Sequence, residues 1–323
     1  MAELPKGFPE KLEKMYGPEL ASQIIVTFEV RVPSFRINPL KGERKEILKE
    51  LSKGGFKLEQ VPWYKDAYLL LEGTKRELTS SDCYKQSKIY IQSLASMIPP
   101  LVLNPLPGDT VLDLTAAPGS KTSQIAALMN KSGILIANDN SRSRFFKLKR
   151  NMESYVDFTV EDPYLTLRLE HGVKLGREYQ NYFDKVLLDA PCSAEARFIN
   201  GETSTFGYWK KIKVTENAKR QRQLLTAALN SLKVGGTLVY STCTLSPEEN
   251  ESQISWLLKK YSEALSILPI DTQISDLSRL PPIISWGNSE FHPQVANTYR
   301  IFPDRNLESF FVAKIRKNYD IAI

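Results

Sequence analysis

Histidine and cysteine are scarce in this chain, and several familiar signatures are absent. Its 323 residues include two histidines, His171 and His292, and three cysteines, Cys83, Cys192 and Cys243. No CxxC or HxxxH spacing occurs, which argues against a structural zinc site or any other metal centre. Three thiols, an odd number, suit a reducing compartment where they stay free. No apolar run approaches the roughly 20 residues needed to span a bilayer. The start, MAELPKGFPEKLEKMYG, lacks the basic–apolar–small order of a signal peptide. A soluble, cytoplasmic protein with no membrane partner is expected, and a monomer. There is no GxGxxG, which counts against a dinucleotide-dependent oxidoreductase, and no GxxxxGK[ST], which excludes a P-loop.

What is present suffices for a packed core: 42% of residues are hydrophobic and 10% aromatic. The length suits one large domain with a smaller one. The net charge of +6 fits a nucleic-acid partner without requiring one.

Residues 1–82 read as a small α+β module. FPEKLEKMYGPELASQII has helical spacing at Phe8, Leu12, Met15 and Tyr16, and ERKEILKELSKGG reads as a helix closed by Gly54 and Gly55. Residues 83–323 have a different texture. KIYIQSLASMIPPLVLNPLPG is a helix candidate interrupted at Pro99 and Pro100. Strands DTVLDLT, GILIAND, FDKVLLDAP and GTLVYST then alternate with helix candidates, and LESFFVAKIRK reads as a strand closing the sheet at one edge. The fold class is therefore α/β: a doubly wound, mostly parallel sheet with ligand sites outside the carboxyl ends of its strands.

The first strand-to-helix turn carries Thr115, Ala116, Ala117, Pro118, Gly119, Ser120 and Lys121, small residues that let a ligand approach the backbone and a helix start. About twenty residues on, Asp139 ends the second strand, placed either to accept ribose hydroxyls or to cap a helix. Together they favour an adenosine-containing cofactor. A third acid, Asp162, follows the apparent third strand in Phe158-Thr-Val-Glu-Asp-Pro, with Glu161 as its alternative and a turn before Pro163 as the plainer explanation.

The sharpest constellation is a pair of cysteines. The strand FDKVLLDAPCS brings Asp189 and Cys192 to the carboxyl edge, and GTLVYSTCT brings Cys243 to the same edge. One such cysteine alone would read as a small buried hydrophobe. Two at a polar rim read as reactive thiols. A thiolate adding to carbon 6 of cytosine turns carbon 5 into a nucleophile, and a carboxyl group such as that of Asp189 can engage N3 or the exocyclic amine. On this reasoning alone the two cysteines are nearly interchangeable.

LDLTAAPGSKT, LLDAPCS and YSTCTLSPEEN resemble the motifs of the NOL/NOP/SUN (RsmB/RsmF-like) family of RNA cytosine-5 methyltransferases. IYIQSLASM, RINPLK and ESFFVAKI extend the resemblance over nearly the whole chain. It implies a Rossmann-like class I methyltransferase fold with a small amino-terminal RNA-binding module. It implies S-adenosyl-L-methionine (held by Thr115–Lys121, Asp139, Asp162 and Asp189), Cys243 as nucleophile and Cys192 as the residue promoting product release. In DNA cytosine-5 methyltransferases the PC cysteine attacks instead, so the TC cysteine points to RNA. The APGSKTSQ turn and STCTLSPEENES are most similar to bacterial members acting on small-subunit ribosomal RNA, with transfer RNA as the alternative. Three positions depart from the family pattern. Ala194 and Ala196 replace glycines after Cys192, and alanine's poor access to positive φ implies a differently shaped loop. The third acid sits in EDPYL, and Ser309 stands where glycine is usual.

For RNA contact, Arg142, Arg144, Lys147, Lys149 and Arg150 form one basic run. Lys210, Lys211, Lys213, Lys219, Arg220 and Arg222 form another, interleaved with Tyr208 and Trp209 as stacking candidates. Arg36, Asn38 and Lys41 are candidates in the amino-terminal module. A noncatalytic RNA-binding protein on the same fold is the competing class, and intact Asp189, Cys192 and Cys243 argue against it.

Overall fold

The computed structural model describes residues 3–159, 161, 163–270 and 274–321. The amino-terminal part contains α1 (Phe8–Tyr16), α2 (Pro18–Val26), β1 (Ser34–Ile37), α3 (Arg44–Lys53), β2 (Lys57–Gln60), β3 (Ala67–Glu72), α4 (Lys75–Ser80), α5 (Asp82–Lys85) and β4 (Ile89–Ile91). The strands form an antiparallel sheet in the order β2-β3-β1-β4. One face buries Phe35, Ile37, Ile47 and Leu51. Helices α1 and α2, split where Gly17 precedes Pro18, instead pack Phe8, Leu12 and Ile24, with Phe28 just beyond α2, against Phe198, Phe206 and Trp209 far along the chain.

The second part begins with α6 (Leu94–Leu103). It continues with β5 (Thr110–Asp113), α7 (Ser120–Leu128), β6 (Ile134–Asn138), α8 (Arg142–Val156), β7 (Leu165–Arg168), α9 (Gly172–Glu178), β8 (Phe183–Asp189), α10 (Lys211–Ser231) and β9 (Leu232–Thr242). After these come α11 (Glu251–Tyr261), β10 (Leu265–Leu268), the hairpin β11 (Ser285–Trp286) and β12 (Ser289–Glu290), β13 (Tyr299–Arg300) and β14 (Phe311–Lys317). The sheet order is β10-β14-β9-β8-β5-β6-β7, with β13 beside β14. The β9-β8-β5-β6-β7 core is parallel. The chain winds outward in both directions from β5 and β8, so the crevice beyond their carboxyl ends is the switch point where ligands bind in such sheets. The expected doubly wound architecture is borne out.

Three details differ from expectation. Helix α6 runs through Pro99 and Pro100 without a break. Pro100 has no N–H for the Ser96 carbonyl, and Gln92 Nε2 donates to that oxygen instead at 3.0 Å. The carboxyl-terminal strand β14 does not close an edge; it lies antiparallel between β9 and β10, and β10 takes the edge. The third strand is Leu165–Arg168 rather than the stretch from Phe158, because Asp157 ends α8 in the left-handed conformation and β7 begins only at Leu165. Its carboxyl end therefore delivers Glu170 and His171 to the ligand edge. Glu161 is exposed ahead of the strand, and Asp162 lies outside the described residues.

Candidate active site

Two cavities adjoin at the switch point, sharing Thr115, Arg144 and Pro191. The first, about 330 Å³, is lined by Asp139, His171, Gly172 and residues of α10 including Lys219 and Arg220. The second, about 410 Å³, is lined by Thr115–Pro118, Ser120, Lys121, Asp189, Cys192, Arg197 and Cys243.

The turn after β5 is shaped by its own hydrogen bonds. Thr115 Oγ1 donates to the Asp189 carbonyl at 2.8 Å, and Ala116 N–H to Asn138 O at 2.7 Å. Gly119 caps α7 at φ 104°, where a Cβ would meet Met152 Cε at 2.7 Å, so only glycine fits. Asp139 is buried and is not the cap of α8, a position held by Ser141. One carboxylate oxygen accepts from Ser141 N–H at 2.9 Å, just ahead of α8, while the other takes Ala117 N–H at 3.3 Å and pairs with Arg144 at 3.3 Å. Asp113, not singled out from sequence, ends β5 fully buried, accepts from Thr122 Oγ1 at 2.7 Å and is pushed up to about 7 by burial.

Strands β8 and β9 bring the predicted pair together: Cys192 Sγ and Cys243 Sγ are 3.5 Å apart, both free thiols. They titrate in opposite directions. The thiol hydrogen bond from Cys192 holds Cys243 below the ordinary thiol range, aided by Arg197 and Lys121 against burial and Asp189. The same contact, with burial, pushes Cys192 well up. Asp189 accepts from Ser241 Oγ at 2.8 Å and pairs with Lys121 Nζ at 2.7 Å; Lys121 also donates to Ser96 Oγ at 2.8 Å.

Beneath the thiols lie two buried acids that the sequence did not single out. Glu195 accepts from Thr244 Oγ1, Ser246 Oγ, Leu245 N–H and Trp209 Nε1. Glu249 accepts from Ser193 N–H at 3.1 Å and Gln221 Nε2 at 2.9 Å, and burial pushes it up to about 8. Ala194 takes a left-handed conformation, φ 55°, that alanine rarely adopts; the strain is held by the pinned turn that follows.

The RNA candidates divide. Arg36 is fully buried and donates to Ser123 Oγ at 2.9 Å and the Ser120 carbonyl at 3.4 Å. Asn38 is buried against Ser87 O and Tyr155 O, and Lys41 is paired with Asp157. These three join the amino-terminal sheet to the cofactor side of the second part and do not face RNA. Trp209 is likewise buried, whereas Tyr208 and the six basic residues of the second run are exposed. In the first run Arg144 belongs to the cavity wall, and Arg142, Lys147 and Arg150 are exposed.

The family described as 16S rRNA methyltransferase RsmB/F matches residues 100–316, and the N-terminal domain of 16S rRNA methyltransferase RsmF matches residues 4–94. The chain belongs to this family. Similar proteins include a tRNA (cytosine(49)-C(5))-methyltransferase of Pyrococcus abyssi, 39% identical over 290 residues and covering 88% of both chains. A Ribosomal RNA small subunit methyltransferase F of Shewanella sediminis is 32% identical over 99% of this chain, which spans 65% of that relative's length. The solved methyltransferase homolog protein from Pyrococcus horikoshii superimposes with a TM-score of 0.80 at 32% identity, covering 95% of this chain and 93% of that one. Among the described residues no helix is long and apolar enough to cross a membrane, and no cluster of acids, cysteines and histidines is arranged to hold a metal ion.

Proposed function

We propose that this RsmB/F-family methyltransferase acts on carbon 5 of a cytosine in RNA, with Cys243 as nucleophile, Cys192 as release residue and Asp189 as the carboxylate that engages the base. The observation carrying this reading is the thiol pair 3.5 Å apart beside the Asp189–Lys121 ion pair. Cys243, held toward its thiolate, adds to carbon 6; the carbon 5–carbon 6 electron pair moves toward carbon 5 and N3. Asp189 faces the same cavity and engages N3 or the exocyclic amine as charge builds. After methylation a base, water or a side chain at the cavity, takes the carbon-5 proton; the freed electron pair re-forms the carbon 5–carbon 6 double bond and Cys243 leaves as thiolate, with Cys192 assisting release. The base must leave its stack to reach this cavity.

The turn residues Thr115–Lys121 with Asp139 and Asp189 fit S-adenosyl-L-methionine. The buried Asp139 carboxylate suits ribose hydroxyls, and the glycine-built turn admits a ligand against its backbone. When bound, that cofactor supplies an electrophilic methyl group. Asp162 is the third acid of the same reading.

Lys219 and Arg220 line the first cavity, and Lys210, Lys211, Lys213 and Arg222 with Tyr208 are exposed along the same segment. On α3, Lys45, Lys49 and Lys53 recur every four residues and are exposed, which supports an RNA-binding role for the module of residues 1–82. Small-subunit ribosomal RNA is the favoured substrate, since both family models carry that name. Transfer RNA is the second reading, favoured by the Pyrococcus abyssi relative that matches over 88% of each chain. We place the enzyme in the cytoplasm as a monomer.

Tritium release from carbon-5-labelled cytosine in small-subunit ribosomal RNA and in tRNA transcripts tests the reading. Release from either confirms the chemistry and names the substrate class; bisulfite sequencing then locates the base. No release from either, with the folded protein and the methyl donor present, sinks it.

A further inference from the structure

We propose that Arg197 is a further residue of this site, the counter-cation that keeps Cys243 as a reactive thiolate before RNA binds. The inference rests on the reading of Cys243 as nucleophile.

Arg197 ends the short 3-10 turn Glu195–Arg197 that follows the thiol loop, and it lines the same cavity as Cys192, Cys243 and Asp189. The turn is fastened to the segment bearing Cys243. Ala196 N–H donates to the Cys243 carbonyl at 3.1 Å. Glu195, fully buried, accepts from Thr244 Oγ1 at 2.8 Å, Leu245 N–H at 3.1 Å and Ser246 Oγ at 2.6 Å. The backbone that carries Arg197 is thus fastened to the backbone that carries Cys243.

Three cations line this cavity, and two are engaged: Lys121 pairs with Asp189 at 2.7 Å, and Arg144 pairs with Asp139 and donates to the Ala117 carbonyl. Among the described residues Arg197 makes no side-chain hydrogen bond or salt bridge. The charged and titratable groups acting on Cys243 include Cys192, Asp189, Lys121 and Arg197, and Tyr208 feels the same sulfur. Lys121 and Asp189 largely cancel at ion-pair distance; Arg197 also feels the buried Glu308 and Asp189 but is held by neither in an ion pair, so it is the cation left to act on Cys243. The influence is mutual, because Cys243 is the largest contributor raising the guanidinium. Ionisation releases the thiol proton to water. When the sulfur's electron pair forms the bond to carbon 6, the negative charge passes to the base, and Arg197 is then left facing the substrate.

The test is the pH dependence of Cys243 alkylation by iodoacetamide in the RNA-free protein, assigned by peptide mass spectrometry, for wild type, Arg197→Ala and Arg197→Lys. A cation lining the same cavity favours the thiolate and lowers its titration, an effect that solvent around the exposed Arg197 reduces but does not remove. Arg197→Ala is therefore expected to raise the midpoint by about one unit and slow alkylation at neutral pH about tenfold, and Arg197→Lys to restore most of it. Methyl transfer by Arg197→Ala should fall in kcat and recover at higher pH. An unmoved midpoint in folded Arg197→Ala overturns the proposal, as does failure of Arg197→Lys to restore the reactivity. If Arg197→Ala does not fold, the Arg197→Lys and Arg197→Gln pair decides in the same way. Alkylation needs no RNA, so this outcome is separable from a failure to methylate any RNA.

Discussion

Two sets of polar and basic residues look alike in the sequence and behave oppositely in the fold. Arg36 and Asn38 are turned inward and joined to Ser123 and Tyr155, and half-buried Lys41 is paired with Asp157 at the surface of the junction. The run from Lys210 to Arg222 lies on α10 and just before it, with its charges in solvent and Tyr208 beside them. The difference lies in what each side chain can pair with. A cation or amide that reaches a carbonyl or carboxylate across a domain junction becomes structural, while one exposed on a helix stays available for phosphate even where, as at Lys213 and Glu216, it meets an acid on its own surface. Basic residues in a sequence therefore mark candidates, and burial sorts them.

The sharpest way to break this contrast is Asn38→Ala. It leaves the carbonyls of Ser87 and Tyr155 without their buried donor, and should cost about 2–4 kcal/mol in urea unfolding. A cost within about 0.5 kcal/mol would mean that the junction is not structural. Replacing Lys210, Lys211 and Lys219 together by alanine should do the reverse. Stability stays within about 0.5 kcal/mol, RNA affinity drops, and the salt dependence becomes shallower by roughly 0.7 per lost phosphate contact. An unchanged salt slope would remove these residues from the RNA path.

The buried acids sharpen the comparison further. Glu249 ordinarily ionises near 4.5 but is pushed up to about 8 by burial. Its neutral form is favoured in the fold, so its stabilising contribution is full in acid and is lost as pH rises from about 4.5 through about 8. Glu249→Gln should flatten that part of the dependence of Tm on pH relative to wild type; parallel profiles would contradict the assignment. The smallest effect is expected at Ala194. Glycine there relieves the φ 55° conformation but loosens the unfolded chain, a net gain of about 0.5 kcal/mol in thermal unfolding. A loss of stability would show that the alanine methyl packs favourably.

Much of the site was legible because its chemistry sits at strand ends. Apolar strands that finish in Asp-Ala-Pro-Cys and Ser-Thr-Cys must deliver those residues to one sheet edge, and the small-residue turn after β5 needs glycine for a reason visible in its spacing. What was not legible depended on distant pairing. The sequence of α6 shows two prolines but not that Gln92 serves the carbonyl they leave. Phe158-Thr-Val resembles a strand, yet Asp157 turns the chain and the strand forms at Leu165. Glu195, Glu249 and Asp113 looked like ordinary acids until the fold enclosed them, and Arg197 acquires meaning only when its turn is fastened to Cys243.

The central claim is that Cys243 forms the covalent bond to the target base and Cys192 lets it go. The most direct test incubates Cys192→Ala with substrate RNA and methyl donor and resolves the mixture on a denaturing gel. A slow-migrating protein–RNA band is predicted to accumulate in Cys192→Ala, to be absent from Cys192→Ala/Cys243→Ala, and to map to Cys243 after digestion. A band that survives loss of Cys243, or no band in Cys192→Ala while methylation continues, would contradict it.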